Sequence, residues 1–247
     1  MKFRVLAVLL LLPAAEIFSS VCIGQAAPPP TASVQKAPGI RNGLTAFHSD
    51  EIGFTLLYPS VLEVQSAKSF KETVDRGHRA YYGTDPATDP EHQESEKCIH
   101  LLLSATLPTS ETPAGTDAAV ASIVLIETDR SCLKGSEDDI LGNLASAPYQ
   151  IPSATAVMPQ TWWKVDKRKV HIGAATIEQD LTQGNAAKPL AVAASFVVKK
   201  HYLMVLLMSN SDAAEKLLAT TQVQFGKDAP VLLLPPKEEM LRMKNAR

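Results

Sequence analysis

Two segments, Leu190 to Val198 and His201 to Met208, read Leu-Ala-Val-Ala-Ala-Ser-Phe-Val-Val and His-Tyr-Leu-Met-Val-Leu-Leu-Met, with only Lys199-Lys200 between them. Neither run alternates. A strand that is apolar on both sides has to be covered on both sides. The pair therefore predicts a hairpin at the centre of a sheet, turning at the two lysines, with helices above and below. Lys199, Lys200 and His201 interrupt the run, which excludes reading it as one membrane span, since a span needs roughly 20 apolar residues. At 247 residues, the chain is long enough for one domain with a large core. Its 45% hydrophobic and 20% charged content is ordinary for a folded soluble domain.

A second strand signal has the opposite character. In Ile52-Gly53-Phe54-Thr55-Leu56-Leu57-Tyr58-Pro59, Ile52, Phe54, Leu56 and Tyr58 fall on one face at period two. Pro59 has no N–H to give to a ladder and ends the strand. His48-Ser49-Asp50-Glu51 supplies a polar start. With Phe47 upstream and Ser60 after the Tyr-Pro pair, this stretch resembles the first strand of the PsbP-like superfamily. Where that family carries a Trp soon after Tyr-Pro, this chain has Val61-Leu62-Glu63. The resemblance implies an α+β fold, a single mainly antiparallel sheet flanked by helices on both faces (an α/β/α sandwich). It implies binding or stabilising partners rather than any particular activity.

The N-terminal stretch reads as that of an exported protein. Lys2 and Arg4 precede an apolar run of about 11 residues, Val5 to Ala15, too short to span a bilayer comfortably, with an N-terminal membrane anchor as the alternative. Gly24-Gln25-Ala26 offers small residues for cleavage, so residues 1–26 are expected to be a signal peptide. Cys22 after Ser19-Ser20-Val21 leaves lipid anchoring open as a variant. Residues 27–45, with Pro28-Pro29-Pro30, are expected to be a Pro-rich tether. The folded domain is placed at 46–229, and 230–247 is read as a peripheral tail in which Met240, Leu241 and Met243 form a short amphipathic helix.

Between these ends, Val61 to Gln65 reads as a short strand. Ser66 to Arg76 reads as a helix facing Phe70 and Val74 inward, closed by Gly77. The spacing of the acidic run Asp85 to Glu96 does not match a calcium-binding loop with its central Gly and terminal bidentate Glu, and the run reads as a solvated loop. Cys98 to Thr106 and Ala119 to Glu127 are strands separated by a loop rich in Ser, Thr, Pro and Gly. Antiparallel pairing across that loop brings Cys98 near Cys132. In an oxidising compartment these two, left alone once Cys22 is removed, are expected to form a disulfide. Two buried free thiols are the alternative. Ser136 with Asp139 approximates a capping box for a helix over 137–145. Pro148 to Gln160 reads as irregular. Thr161 to Val165 and Val170 to Leu181 follow as a hairpin. Ser209 to Asp212 offers N-caps for a helix over 213–219 burying Ala214, Leu217 and Leu218. Val223 and Phe225 form a short strand, and this close also resembles PsbP-like domains.

Candidate ligand contacts are the aromatics Trp162, Trp163, Tyr81 and Tyr82. Neighbours in a strand point to opposite faces, so one of the two Trp is expected in the core and the other nearer the surface. The histidines His48, His78, His92, His100, His171 and His201 are scattered, and no nucleophile elbow, phosphate loop, paired-Cys motif or i, i+4 His pair occurs. No catalytic, metal or cofactor residue is therefore assigned and no cofactor is expected. The net charge of −2 gives no signal for nucleic acid. The partner is expected to be an unidentified protein or small molecule of the cell envelope, with no transmembrane span in the mature chain. Two function classes follow. One is an exported (secreted or periplasmic) non-catalytic binding or accessory module. The other is a secreted hydrolase with a site assembled from dispersed residues, which would show a His, an acid and a nucleophile within hydrogen-bond reach. An envelope lipoprotein through Cys22 is a third.

Overall fold

The computed structural model describes residues 43–108, 121–150, 154–177, 189–236 and 239. The expected signal peptide, Cys22, almost all of the tether and the Met240–Met243 helix lie outside the described residues. Among the described residues, eleven strands form two antiparallel sheets rather than the single sheet expected. The larger contains β3 (Glu63–Val64), β4 (Ile99–Thr106), β5 (Ala121–Thr128), β6 (Ala154–Val165), β7 (Arg168–Ile177), β8 (Leu190–Val198) and β9 (His201–Ser209), in the order β3-β4-β5-β9-β8-β7-β6. The smaller contains β1 (Leu44–Ser49), β2 (Phe54–Pro59), β10 (Gln222–Phe225) and β11 (Val231–Leu232), in the order β1-β2-β10-β11. Among the described residues, four α-helices accompany them: α1 (Ala67–Tyr82), α2 (Pro90–Glu96), α3 (Glu137–Ala145) and α4 (Asp212–Leu218).

The apolar hairpin is β8–β9, and β9 is the middle strand of the seven. Its turn is Lys199-Lys200, with Lys199 at φ 55°. Period two divides β9 between two cores. Leu203, Val205 and Leu207 face a core shared with Phe54, Leu56, Tyr58, Val223 and Phe225 of the small sheet and with Ala214 and Leu218 of α4. Tyr202, Met204, Leu206 and Met208 face a second core with Phe70 and Val74 of α1 and Ile140, Leu141 and Leu144 of α3. One face of the large sheet is thus covered by the small sheet and α4, and the other by α1 and α3. The correction to the single-sheet expectation has a simple cause. Alternation in 52–58 shows that one face is buried, not which strands lie beside it. β2 pairs with β1 and β10, and the whole unit lies on the large sheet.

The strand read at Ile52–Pro59 is the second of the fold. β1 begins at Leu44, inside the stretch read as tether, and runs Leu44↔Pro59 to Ser49↔Phe54 against β2. Gly53, at φ 74°, makes the turn, and its N–H donates to the Ser49 carbonyl at 2.8 Å. Helix α1 passes through Gly77 and closes at Gly83 (φ 67°), whose N–H donates to the Arg79 carbonyl. The expected stop at Gly77 fails because His78, one position on, is fully buried and continues the inner face set by Phe70 and Val74. The second half of the acidic loop is α2: Asp89 accepts from the N–H groups of Glu91 and His92, with Pro90 at the first position, where its missing N–H costs nothing. Strand β6 extends back to Ala154 despite Pro159. It is an edge strand with irregular register between Ala156 and Thr161, a place where proline is tolerated. Leu233 and Leu234, in the segment read as a peripheral tail, are buried behind β11.

Helix α3 lies close against β7 and β8. Ser136 and Asp139 form the expected capping box. Buried Ser195 donates to the Leu141 carbonyl at 2.6 Å, so the one hydroxyl in β8 is satisfied by the helix above it. At Gly173 a Cβ would stand 2.1 Å from the Ala145 carbonyl oxygen, so only glycine allows this approach. The chain then turns through a 3₁₀ segment, Ala147–Gln150, and Tyr149 enters the edge of the ladder. Its hydroxyl donates to the Met158 carbonyl at 2.6 Å and accepts from the Ala174 N–H at 3.0 Å. This fills the gap left by the irregular β6–β7 register.

Candidate functional site

The four candidate aromatics do not converge. Trp162 and Trp163 are on edge strand β6, whereas Tyr81 and Tyr82 end α1, which packs on β4 near the other edge. Trp163 packs against the core and donates to the Leu233 carbonyl at 3.2 Å. Trp162 is 50% exposed, with the Lys169 ammonium 5.0 Å from its ring centre. The pair divides between core and surface as the alternation requires. Tyr82 is partly buried beside His78, ring centres 4.9 Å apart. The Tyr81 side chain is outside the described part. Cys98 and Cys132 are joined by a disulfide, Cα atoms 5.8 Å apart.

Three histidines meet acids on strands. His48 Nδ1 lies 2.7 Å from Thr55 Oγ1, and its Nε2 lies 2.9 Å from Asp50 Oδ1. This has the connectivity of a hydroxyl–imidazole–carboxylate relay. However, His48 and Thr55 are simply cross-strand partners in β1–β2, and the Asp50 side chain is fully exposed, so nothing holds the imidazole in a dry site. His201 Nδ1 lies 2.6 Å from Glu127 Oε1 across the β5–β9 pair. His171, buried in β7, reaches Asp138 at 3.4 Å, while Lys169 holds the same carboxylate at 2.6 Å. Burial lowers the His171 pKa below the ordinary value; Asp138 opposes this and Lys169 reinforces it.

That direction predicts an acid-side loss of stability. An unfolded histidine takes up its proton near pH 6.5, and folded His171 does so only at lower pH. The contribution is therefore whole above about pH 6.5 and is lost as pH falls from there toward the folded value. Urea midpoints measured at neutral and mildly acidic pH should differ less in His171→Gln than in the natural chain. An identical pH slope in both proteins would show that His171 does not titrate in this way.

A polar cluster of two buried histidines and their acids lies between α1 and α2. His78 (0% exposed) and His92 (1%) stack edge to face with ring centres 4.4 Å apart. His78 Nε2 is 3.0 Å from Thr84 Oγ1 and 3.3 Å from Asp89 Oδ2, and its Nδ1 has no hydrogen-bond partner. Burial, then the neighbouring His92, lower the His78 pKa against the pull of Asp89 and Asp75. Neither ring nitrogen of His92 has a hydrogen-bond partner; its Nε2 faces Asp75 Oδ1 and Glu96 Oε1, each at 3.5 Å. Asp75, His92 and Glu96 each bring one potential ligand atom within 4.8 Å of the others. Lys71 stands at their rim, bonded to Glu96 and 3.5 Å from Asp75. Burial disfavours its ammonium, but the bonds and charges of Glu96 and Asp75 outweigh this and hold its pKa above the usual value.

Beside this cluster runs a groove of about 300 Å³ between α1 and β4, floored by Phe70, Val74, Ile99 and Leu101, with Ala67, Lys71 and Glu96 also lining it. No local sequence motif marks this cluster as a whole. Two signals were there: His92 and Glu96 at i, i+4, and the Asp89-Pro90 helix start that places both on one face. Asp75 comes from another helix, and no local pattern connects it to them.

Neither a protein-family profile nor a curated protein matches the chain. Among solved structures it is similar to the solution structure of cyanobacterial PsbP (CyanoP) from Synechocystis sp. PCC 6803, at 10% identity and a TM-score of 0.39, over 76% of this chain and 96% of that one. The resemblance is PsbP-like and weak, and it carries no residue role to this chain. No helix among the described residues is long and apolar enough to cross a membrane.

Proposed function

We propose that this chain is an exported, non-catalytic binding module that takes a small apolar ligand in the groove between α1 and β4. The groove itself carries the reading. Its floor is four apolar side chains, its polar groups are confined to one end, and its volume is at the lower limit of ligand pockets, which run from about 300 to 1,000 Å³. The disulfide supports export, because such bonds persist in oxidising compartments. Native mass spectrometry of the untagged protein from its host's envelope fraction tests both parts. The expected result is a chain beginning at Ala27, two hydrogens heavier after reduction, carrying a bound small molecule that Ala67→Trp, which fills the groove from its exposed rim, no longer carries. No bound molecule, or equal loading of both proteins, sinks the groove reading. A chain that retains Cys22 with added lipid makes this an envelope lipoprotein.

The Thr55–His48–Asp50 connectivity is the one observation favouring a hydrolase. Ester hydrolysis by the natural protein that disappears in both Thr55→Val and His48→Gln would establish that second reading. Activity that survives either change would remove it.

A further inference from the structure

The geometry points to a second ligand at the head of this groove: Asp75, His92 and Glu96 form a site for a first-row divalent cation, with Zn²⁺ the ion that the donor set fits. Two independent observations meet there. The first is spacing. Tetrahedral Zn²⁺ with bonds of roughly 2.1 Å holds its ligand atoms about 3.4 Å apart, and His92 Nε2 is 3.5 Å from both Asp75 Oδ1 and Glu96 Oε1. The second is the state of His92. Its side chain is 1% exposed, and its Nε2 is aimed at two carboxylates at separations too long for good hydrogen bonds. A buried imidazole nitrogen without a partner is costly, and an ion is one of the few things that resolves it.

The chemistry of the donors selects the ion. One imidazole nitrogen with two carboxylate oxygens suits zinc and its neighbours, whereas calcium and magnesium take oxygen alone. The site also spans two helices, so the ion would join α1 to α2. His78 packs edge-on against His92 and is held at Nε2 by Thr84 and Asp89, which fixes the ring that presents the ligand atom.

Lys71 is the competitor. Its ammonium pairs with Glu96 and Asp75, and its side chain is 55% exposed, so it can swing into solvent when the ion enters. Removing this positive side chain beside the carboxylates should therefore tighten binding, whereas removing a ligand should weaken it sharply.

The test is calorimetric titration of the untagged, disulfide-intact protein with Zn²⁺ alone, with the visible absorption of Co²⁺ as a second probe of geometry. The expected result is one ion per chain, an absorption characteristic of four-coordinate cobalt, affinity reduced at least about 100-fold in Glu96→Gln and in His92→Gln, and tighter binding in Lys71→Met. Glu96 is partly exposed, so its variant keeps the test valid should His92→Gln fold poorly. Absence of stoichiometric binding, or binding unchanged in Glu96→Gln, overturns the proposal. The ligand of the groove is read separately, by Ala67→Trp, so either proposal can fail without the other.

Discussion

Phe54→Ala should lower the stability of the protein by about 3–5 kcal/mol. Phe54 is completely buried on β2, and its ring is 5.4 Å from Phe196 of β8 and 5.9 Å from Phe225 of β10; the last two are 5.8 Å apart. The three rings thus join both sheets at one point. The Arg168 guanidinium caps Phe225 at 4.6 Å and keeps water from that side. Truncation removes the apolar contact of the ring and leaves a cavity that neither sheet can close, since Leu56, Tyr58 and Val223 on the neighbouring positions are already packed. Phe54→Leu, which keeps most of the volume, should cost less than about 1.5 kcal/mol. Urea unfolding with an unchanged slope measures both. A Phe54→Ala effect under about 1 kcal/mol would show that the small sheet is not held to the large one by this trio.

What was readable in the sequence follows from which forces act locally. The β8–β9 hairpin was legible to the residue at its start and turn, because continuous apolar strands have one solution, burial on both faces. The capping box at Ser136 and the buried face of 52–58 were legible for the same reason: each depends on neighbours within a few positions. The second sheet was not. Whether β2 lies in the plane of β9 or across from it depends on partners 165 to 171 residues away in β10, and the period of β2 is identical in both cases. β1 was missed because Thr45 and His48 dilute its apolar pattern, although Ala46 and Phe47 are buried. Gly77 and Pro159 carry the local signature of breaks. Each is tolerated, the first inside a helix held by buried His78, the second on an edge strand. The cluster between α1 and α2 was hidden in a run of acids that has the composition of a solvated loop. Only its fold-level consequence, two buried histidines facing acids, distinguishes it.

Loss of the Cys98–Cys132 bond should cost about 3–4 kcal/mol, from the chain-entropy cost of closing a loop across 34 residues. The native ladder already places the two ends together. Ile99 pairs with Thr128, and the Asp129 N–H donates to the Cys98 carbonyl at 2.9 Å, so removing the bond breaks no strand pairing. The effect therefore acts mainly on the unfolded chain. The double variant Cys98→Ser, Cys132→Ser should keep the same near-ultraviolet and far-ultraviolet circular dichroism while its urea midpoint falls. Adding reductant should shift the natural protein to that same midpoint and leave the variant unmoved. A variant that loses near-ultraviolet signal before any denaturant is added would show that the bond holds the native fold itself, through α2, whose last residue lies two positions before Cys98. A domain of this kind has about 5–15 kcal/mol in total, so a cost of about 3–4 kcal/mol separates a robust chain in an oxidising compartment from a marginal one in a reducing cytosol. The same comparison therefore bears on where the protein works. A midpoint that does not move on reduction removes the stability argument for export and leaves that reading to rest on the N-terminal sequence alone.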